Sequence, residues 1–310
     1  MENTRAKTTR NSLILLLTAT IWGMAFVSQS KGMDYMHPFT FNGVRSLIGA
    51  AGILLYILVS RKIAGDKAAK VDWKLNVKAG LLCGIFLTIA STLQQFGIKY
   101  TSVGKAGFIT TLYIIFVPMF GIFLKKKVAP VVWAAAGMAA VGMYLLCMTE
   151  SLRLGAGDIM VFLCAIAFAI QIMTVDHYAA RIDGAVVSCI QFTVCGVVCC
   201  IGALIWGQPT FGQIQEGLGA LLYAGVLSCG VGYTLQIVGQ KGLNPTVAAL
   251  IMSLESVIAT ISGWIAYKIG FLSTDQTLTP RQIAGCVIVF AAVILVQLPP
   301  EWFRFGKKNA

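Results

Sequence analysis

Glu255 stands near the middle of PTVAALIMSLESVIATISGWIAYKIG, a stretch from Pro245 to Gly270 that is otherwise almost wholly apolar. Charge at the centre of a bilayer costs a few kcal/mol even on gentle scales, so an ionisable group at that depth marks a substrate or ion path by default. Low dielectric disfavours the charged form of a carboxyl. Such a group can take up a proton and release it when a cavity opens to water. It can also stay charged and pair with a cationic substrate, or with Arg45. The structural alternative is a carboxyl hydrogen-bonded to Ser253, Ser256 or a neighbouring helix.

Other polar groups fall inside apolar runs. Arg45 lies about two turns into its run and either faces a cavity or snorkels to the outer face. The amides of Gln94, Gln95, Gln171, Gln191 and Gln236 suit a zwitterionic or hydroxylated solute, or else bond helix to helix. Gln171 shares a helical face with Phe168. Trp22 and Phe26 are four residues apart and share a face; Trp22 is mid-run, away from the interface where Trp normally anchors. Tyr113 and Tyr233 are further cavity candidates. Pro118 removes a backbone donor beside Tyr113 and is a hinge candidate. Asp176 and His177 close their run and read as interfacial.

Several chemistries have no support. The nine cysteines lie in apolar stretches without a C-x-x-C, and with His37 and His177 as the only histidines no metal site is expected. No G-x-x-x-x-G-K-[ST] points to nucleotide binding. No paired carboxylates or Ser-His-Asp set point to catalysis. No cofactor and no enzymatic activity are expected.

The elements that must hold these residues are membrane helices. Of 310 residues, 57% are hydrophobic and 12% charged, against about 25% charged in a soluble domain. A span needs about 20 apolar residues. Ten stretches qualify: 12–31, 39–60, 77–98, 104–124, 129–148, 157–178, 184–206, 217–240, 246–268 and 280–299. The formal net charge is +12, but Lys and Arg flank the spans and form no patch for nucleic acid. They concentrate in alternate loops: Arg5, Lys7 and Arg10 before span 1, six between Arg61 and Lys78, Lys125–Lys127, and then Arg181, Lys241, Arg304, Lys307 and Lys308. Positive loops stay inside, which predicts tails 1–11 and 300–310 in the cytoplasm of a cell bearing this chain in its plasma membrane, with lipid around it.

The second half echoes the first. Shifted by 142 positions, Thr92-Leu93-Gln94 lands on Thr234-Leu235-Gln236, Gly97 on Gly239 and Gly121 on Gly263, within nine identities from Thr92 to Gly121. The same shift sets Tyr113 opposite Glu255. The halves are 12–148 and 157–299, five spans each. An odd number forces the second half to enter the membrane in the opposite sense. Inverted repeats around a midplane site characterise secondary transporters.

TATIWGMAF at 18–26 and HPFTFNGVRSLIGA at 37–50 resemble the first helices of the EamA family of the drug/metabolite transporter superfamily, through Trp22-Gly23, Pro38 and Arg45. LYIIFVPMFGIFL at 112–124 and MSLESVIATISGWI at 252–265 are similar to that family's fourth and ninth helices. The chain departs from the family where Glu255 precedes Ser256 in place of Pro. It departs again where LKKKV and YKIGFLSTDQTLT replace segments that carry Glu in relatives, so any pairing those Glu make is absent or rebuilt. The resemblance implies a ten-helix bundle working by alternating access. The expectation is a secondary transporter of a small organic metabolite, an amino acid or related solute, in the export direction, with protons as the possible coupling ion. The alternative is an organic-cation or multidrug exporter of the same fold, and less favoured still a membrane-embedded enzyme. Neither the solute nor a monomeric or homo-oligomeric state can be read from these residues.

Overall fold

The computed structural model describes residues 2–65, 71–101, 103–124, 129–147, 155–272 and 277–297. The Lys125–Lys127 run, Lys67, Lys70 and the tail 300–310, all used above for orientation, lie outside them. Every regular element among the described residues is helical. In chain order the long ones are α1 (Glu2–Gly32), α2 (Pro38–Ala64), α3 (Trp73–Tyr100), α4 (Val103–Phe123), α5 (Pro130–Cys147), α6 (Ala156–Tyr178), α7 (Gly184–Gly207), α8 (Leu218–Gly239), α9 (Pro245–Lys268) and α10 (Pro280–Gln297), with a short helix Phe211–Glu216 between α7 and α8. Eight of these are long and apolar enough to cross a membrane, while α5 and α10 carry shorter apolar segments. The chain is an all-helical, multi-pass membrane protein.

Local signals set the starts. Proline occupies the first position of α2, α5, α9 and α10, where its missing N–H costs nothing. Asn244 Oδ1 caps α9 through Thr246 N at 2.9 Å, and Asp183 Oδ1 caps α7 through Ala185 N at 3.0 Å. Asp158 accepts from Gly155 N at 2.8 Å, from Thr101 Oγ1 at 2.8 Å and from Lys105 Nζ at 2.6 Å. It thereby caps α6 and ties that end to the turn between α3 and α4.

The outer face is apolar, and polar groups are buried among the apolar residues of the core. Leu55, Leu58, Ile201 and Trp206 are exposed, whereas Gln95, Gln171, Gln236, Ser253 and Ser256 are buried. An apolar outer face with polar groups within is what lipid solvation favours. Neighbouring helices are α2 with α7, α5 with α10, α3 with α6 and α7, α1 with α8 and α9, and α4 with α6. Small residues permit close approach. A Cβ on Gly142 of α5 would stand 2.9 Å from Gly285 O of α10.

Two helices are interrupted at mid-length. α4 breaks at Leu112, between Val103–Thr111 and Tyr113–Phe123. Pro118, the hinge expected from sequence, lies inside the second piece, and the discontinuity falls six residues ahead of it. A proline ring presses on the carbonyl four residues back, here Ile114, so the distortion appears upstream of the ring. α9 breaks at Ser253, without a proline. There Ser253 Oγ donates to Leu250 O at 2.7 Å and Ser256 Oγ to Ser253 O at 2.8 Å. Hydroxyl back-bonding of this kind bends helices. In α8, Tyr223–Gly232 winds in the wider π register, a form that is rare and recurs at functional sites.

Candidate functional site: a central cavity with one carboxyl and one guanidinium

The two breaks place Tyr113 and Glu255 at the starts of their second helical pieces. Both side chains are buried, and Tyr113 Oη donates to Glu255 Oε1 at 3.0 Å. The partners are 142 positions apart, the shift that aligns the two halves.

Around this pair lies a cavity of about 40 Å³. That is room for ordered water, which needs at least about 10–15 Å³ of such space, and well below the roughly 150 Å³ of a cavity that takes up a benzene-sized molecule, so an organic solute enters only if the helices part. Glu255 and Tyr113 form one side. Trp22 and Phe26 of α1 line it, as do Phe168 and Gln171 of α6 and Tyr233 and Gln236 of α8. Arg45 of α2 and Gln94 of α3 complete the sequence-derived set.

Gln95 is the exception. It is fully buried but turned away from the cavity, and its Nε2 donates to Gln29 O of α1 at 3.2 Å. Adjacent residues on a helix point about 100° apart, so Gln94 and Gln95 cannot both face inward. Gln191 also lies outside the lining, and both its amide atoms are buried without a partner. The lining further includes Gln29, Ser46, Ser91, Thr110, Phe192 and Ser228, which the sequence reading missed. Serine and threonine are common packing residues in membrane helices, so nothing in their type separates these from the rest. Ser91 and Gln94, three apart on one helical face, carried a weak signal.

The aromatic side is tightly built. Trp22 and Tyr233 rings lie 4.5 Å apart, and Tyr233 meets Phe192 edge-on at 5.0 Å. Trp22 Nε1 donates to Ser228 O at 3.4 Å, a carbonyl in the π-wound part of α8. The indole reaches it because position 232 is glycine: a Cβ there would sit 2.6 Å from Trp22 Nε1. Gly23 serves α9 in the same way. A Cβ on it would stand 2.7 Å from Glu255 O and 2.6 Å from Ile258 Cβ. Elsewhere in the lining, Gln171 and Gln236 exchange amide hydrogen bonds at 3.2 and 3.5 Å, and Gln94 Nε2 donates to Thr110 Oγ1 at 3.2 Å.

Arg45 does not reach the outer face. It is 5% exposed and packs over the Phe41 ring at 5.3 Å. No ion pair joins it to Glu255 among the described residues, where Lys31–Asp34 and Lys105–Asp158 are the pairs found. The cavity therefore presents a cationic group and an acidic group that do not neutralise each other. Among the described residues no cluster of three His, Cys, Asp or Glu is arranged to hold a metal.

The EamA-like transporter family model matches this chain twice, over residues 10–148 and 155–298. An uncharacterized transporter of Archaeoglobus fulgidus is 28% identical over 290 residues, covering 92% of this chain and 84% of its own length. The uncharacterized transporter YwfM of Bacillus subtilis is 24% identical over 295 residues, covering 94% of each chain. A crystal structure of a further protein superposes with a TM-score of 0.73 over 96% of this chain and 99% of its own, at 16% identity; that likeness concerns the fold alone.

Proposed function

This chain belongs to the EamA-like transporter family, and from that membership we propose that it is a secondary transporter that moves a small organic metabolite, an amino acid or related solute, outward across the plasma membrane by alternating access. The Tyr113–Glu255 hydrogen bond carries the reading. It joins positions 142 apart, at the two helix breaks, on the wall of a buried chamber lined by polar groups from several helices. An inverted-repeat transporter holds its substrate at such a midplane meeting point.

Ten spans in two inverted halves, with both termini cytoplasmic, make up the proposed architecture. The helix neighbours support it. Exchanging the halves carries α3–α6 onto α8–α1, α1–α9 onto α6–α4, and α3–α7 onto α8–α2, while α2–α7 and α5–α10 map onto themselves. The small cavity supports alternating access, because a solute needs the lining helices to part. The breaks at Leu112 and Ser253 are where α4 and α9 can flex. Glu255 is the group that meets a proton or the cationic end of a solute.

The test is Glu255→Gln, which keeps the shape and removes the charge. Membrane abundance should stay near normal, and transport in proteoliposomes should be lost or should lose its pH dependence. Glu255→Leu is the control for a structural role. Normal transport with an unchanged pH profile in Glu255→Gln would reduce the carboxyl to a hydrogen-bonding strut.

A further inference from the structure

Arg45 sits two turns into α2 and is 5% exposed. A guanidinium does not shed its proton in a protein, so this is a fixed positive charge deep in the bundle. Its Nε is buried without a hydrogen-bond partner. Its ring contact is Phe41, and no carboxylate lies within ion-pairing distance among the described residues. An uncompensated buried charge is costly, and chains retain one where a partner arrives from outside.

The groups beside it are also poorly partnered. Ser46 and Ser91 line the same cavity as Arg45. Ser46 Oγ donates to Cys195 Sγ at 3.4 Å, and Ser91 Oγ meets the same sulfur at 3.5 Å. A thiol is a weak partner for a hydroxyl. Two hydroxyls sharing one sulfur can turn to a stronger acceptor without leaving another polar group stranded. Glu255 is engaged separately, by Tyr113.

We propose that Arg45, Ser46 and Ser91 form a subsite for a carboxylate of the transported solute. This inference rests on the transport reading above and narrows it. The guanidinium fork matches a carboxylate in two parallel N–H···O bonds, and the hydroxyls add two donors. Charge-assisted bonds of this kind strengthen where the surroundings are apolar. The carboxylate supplies the charge that Arg45 lacks. A solute bearing only a cation would leave Arg45 unpaired and bring a second positive charge into the same chamber. A site built to bond a polar group rejects analogues that lack it far more strongly than an apolar pocket rejects a misfit. The cavity therefore selects carboxylate-bearing solutes, zwitterions included, over simple organic cations.

Matched probes test this: the standard amino acids, each beside its decarboxylated amine and its α-amide. Two readouts are taken, thermal stabilisation of the purified protein in detergent and counterflow in proteoliposomes. Acids should stabilise and move through the wild type, and the amines and amides should not. Arg45→Gln should weaken binding of the acids by about thirty-fold or more. Arg45→Lys, with the charge but not the fork, should fall between, and the double variant Ser46→Ala with Ser91→Ala should weaken the acids selectively. Without ligand, Arg45→Gln should melt no lower than wild type, whereas loss of a structural strut would lower it. Amines or amides carried as well as acids, or acids bound by Arg45→Gln with wild-type affinity, would overturn the subsite and leave the transport reading standing. If no probe crosses wild-type liposomes, the transport reading fails for this solute class. The melting data then decide the subsite: stabilisation by acids alone, lost in Arg45→Gln, upholds it, and its absence overturns it.

Discussion

Gly23→Ala isolates the contact that seats α1 on α9 beside Glu255. The added Cβ would lie 2.6 Å from Ile258 Cβ and 2.7 Å from both Ile258 Cγ2 and Glu255 O. Carbon atoms prefer about 3.5–4.0 Å, so the two helices must separate by about 1 Å locally. The Glu255 carbonyl is backbone and cannot swing aside. Overpacking of this kind costs about 1–3 kcal/mol, partly offset by the roughly 1 kcal/mol that Ala gains over Gly in a helix. The net loss is about 0–2 kcal/mol, a melting shift of up to about 8 °C at about 2–4 °C per kcal/mol. Transport should suffer more. The displacement falls between Trp22 and Glu255, and positioned groups lose up to about a hundredfold on a 1 Å shift, so a fall of about tenfold or more is expected. Gly52→Ala is the control, because nothing lies within 4 Å of a Cβ there. Thermal unfolding in detergent and initial rates in proteoliposomes give both quantities. If Gly23→Ala melts and transports like Gly52→Ala, the α1–α9 contact does not set the geometry of the cavity.

Tyr113→Phe removes the donor to Glu255 Oε1 and should shift the pH dependence of transport while leaving abundance near wild type; an unchanged profile would separate Tyr113 from the site. Asp158→Ala deletes the acceptor of Lys105, Thr101 and Gly155 N and should cost roughly 1–3 kcal/mol in thermal stability, with a wild-type melting curve counting against that end as a tie. His37, outside the spans, caps α2 by accepting from Phe39 N at 3.4 Å, and burial, with Lys99 nearby, lowers its pKa. The folded state thus favours neutral imidazole, so stability is present above the ordinary His range of about 6.5 and falls as pH drops below it. His37→Asn keeps a cap without titrating and should flatten melting temperature between pH 7 and 5, while an unchanged slope would assign that dependence elsewhere. A reporter fused after Ala310 should be active on the cytoplasmic side; activity confined to the outside would reverse the orientation.

The class of this protein follows from its residues alone, because long apolar runs have no other stable home than a bilayer. Several helix starts also follow, since Pro38, Pro130, Pro245 and Pro280 act through local backbone chemistry. The shift between the halves set Tyr113 opposite Glu255 without coordinates. A carboxyl in an apolar run was legible as well, because its burial cost stands out against its surroundings. What the tertiary structure alone decided is which side of each helix faces inward. A soluble helix announces its buried face by an apolar stripe. A membrane helix is apolar toward lipid and toward its neighbours alike, so the stripe vanishes. Sequence could not turn Gln95 toward α1 and Gln94 toward the cavity, nor move the α4 break from Pro118 to Leu112. It could not bring Ser46 and Ser91 onto one sulfur beside Arg45, or show that Arg45 and Glu255 share a chamber without pairing. Those relations join residues from different helices, and only packing in three dimensions sets them.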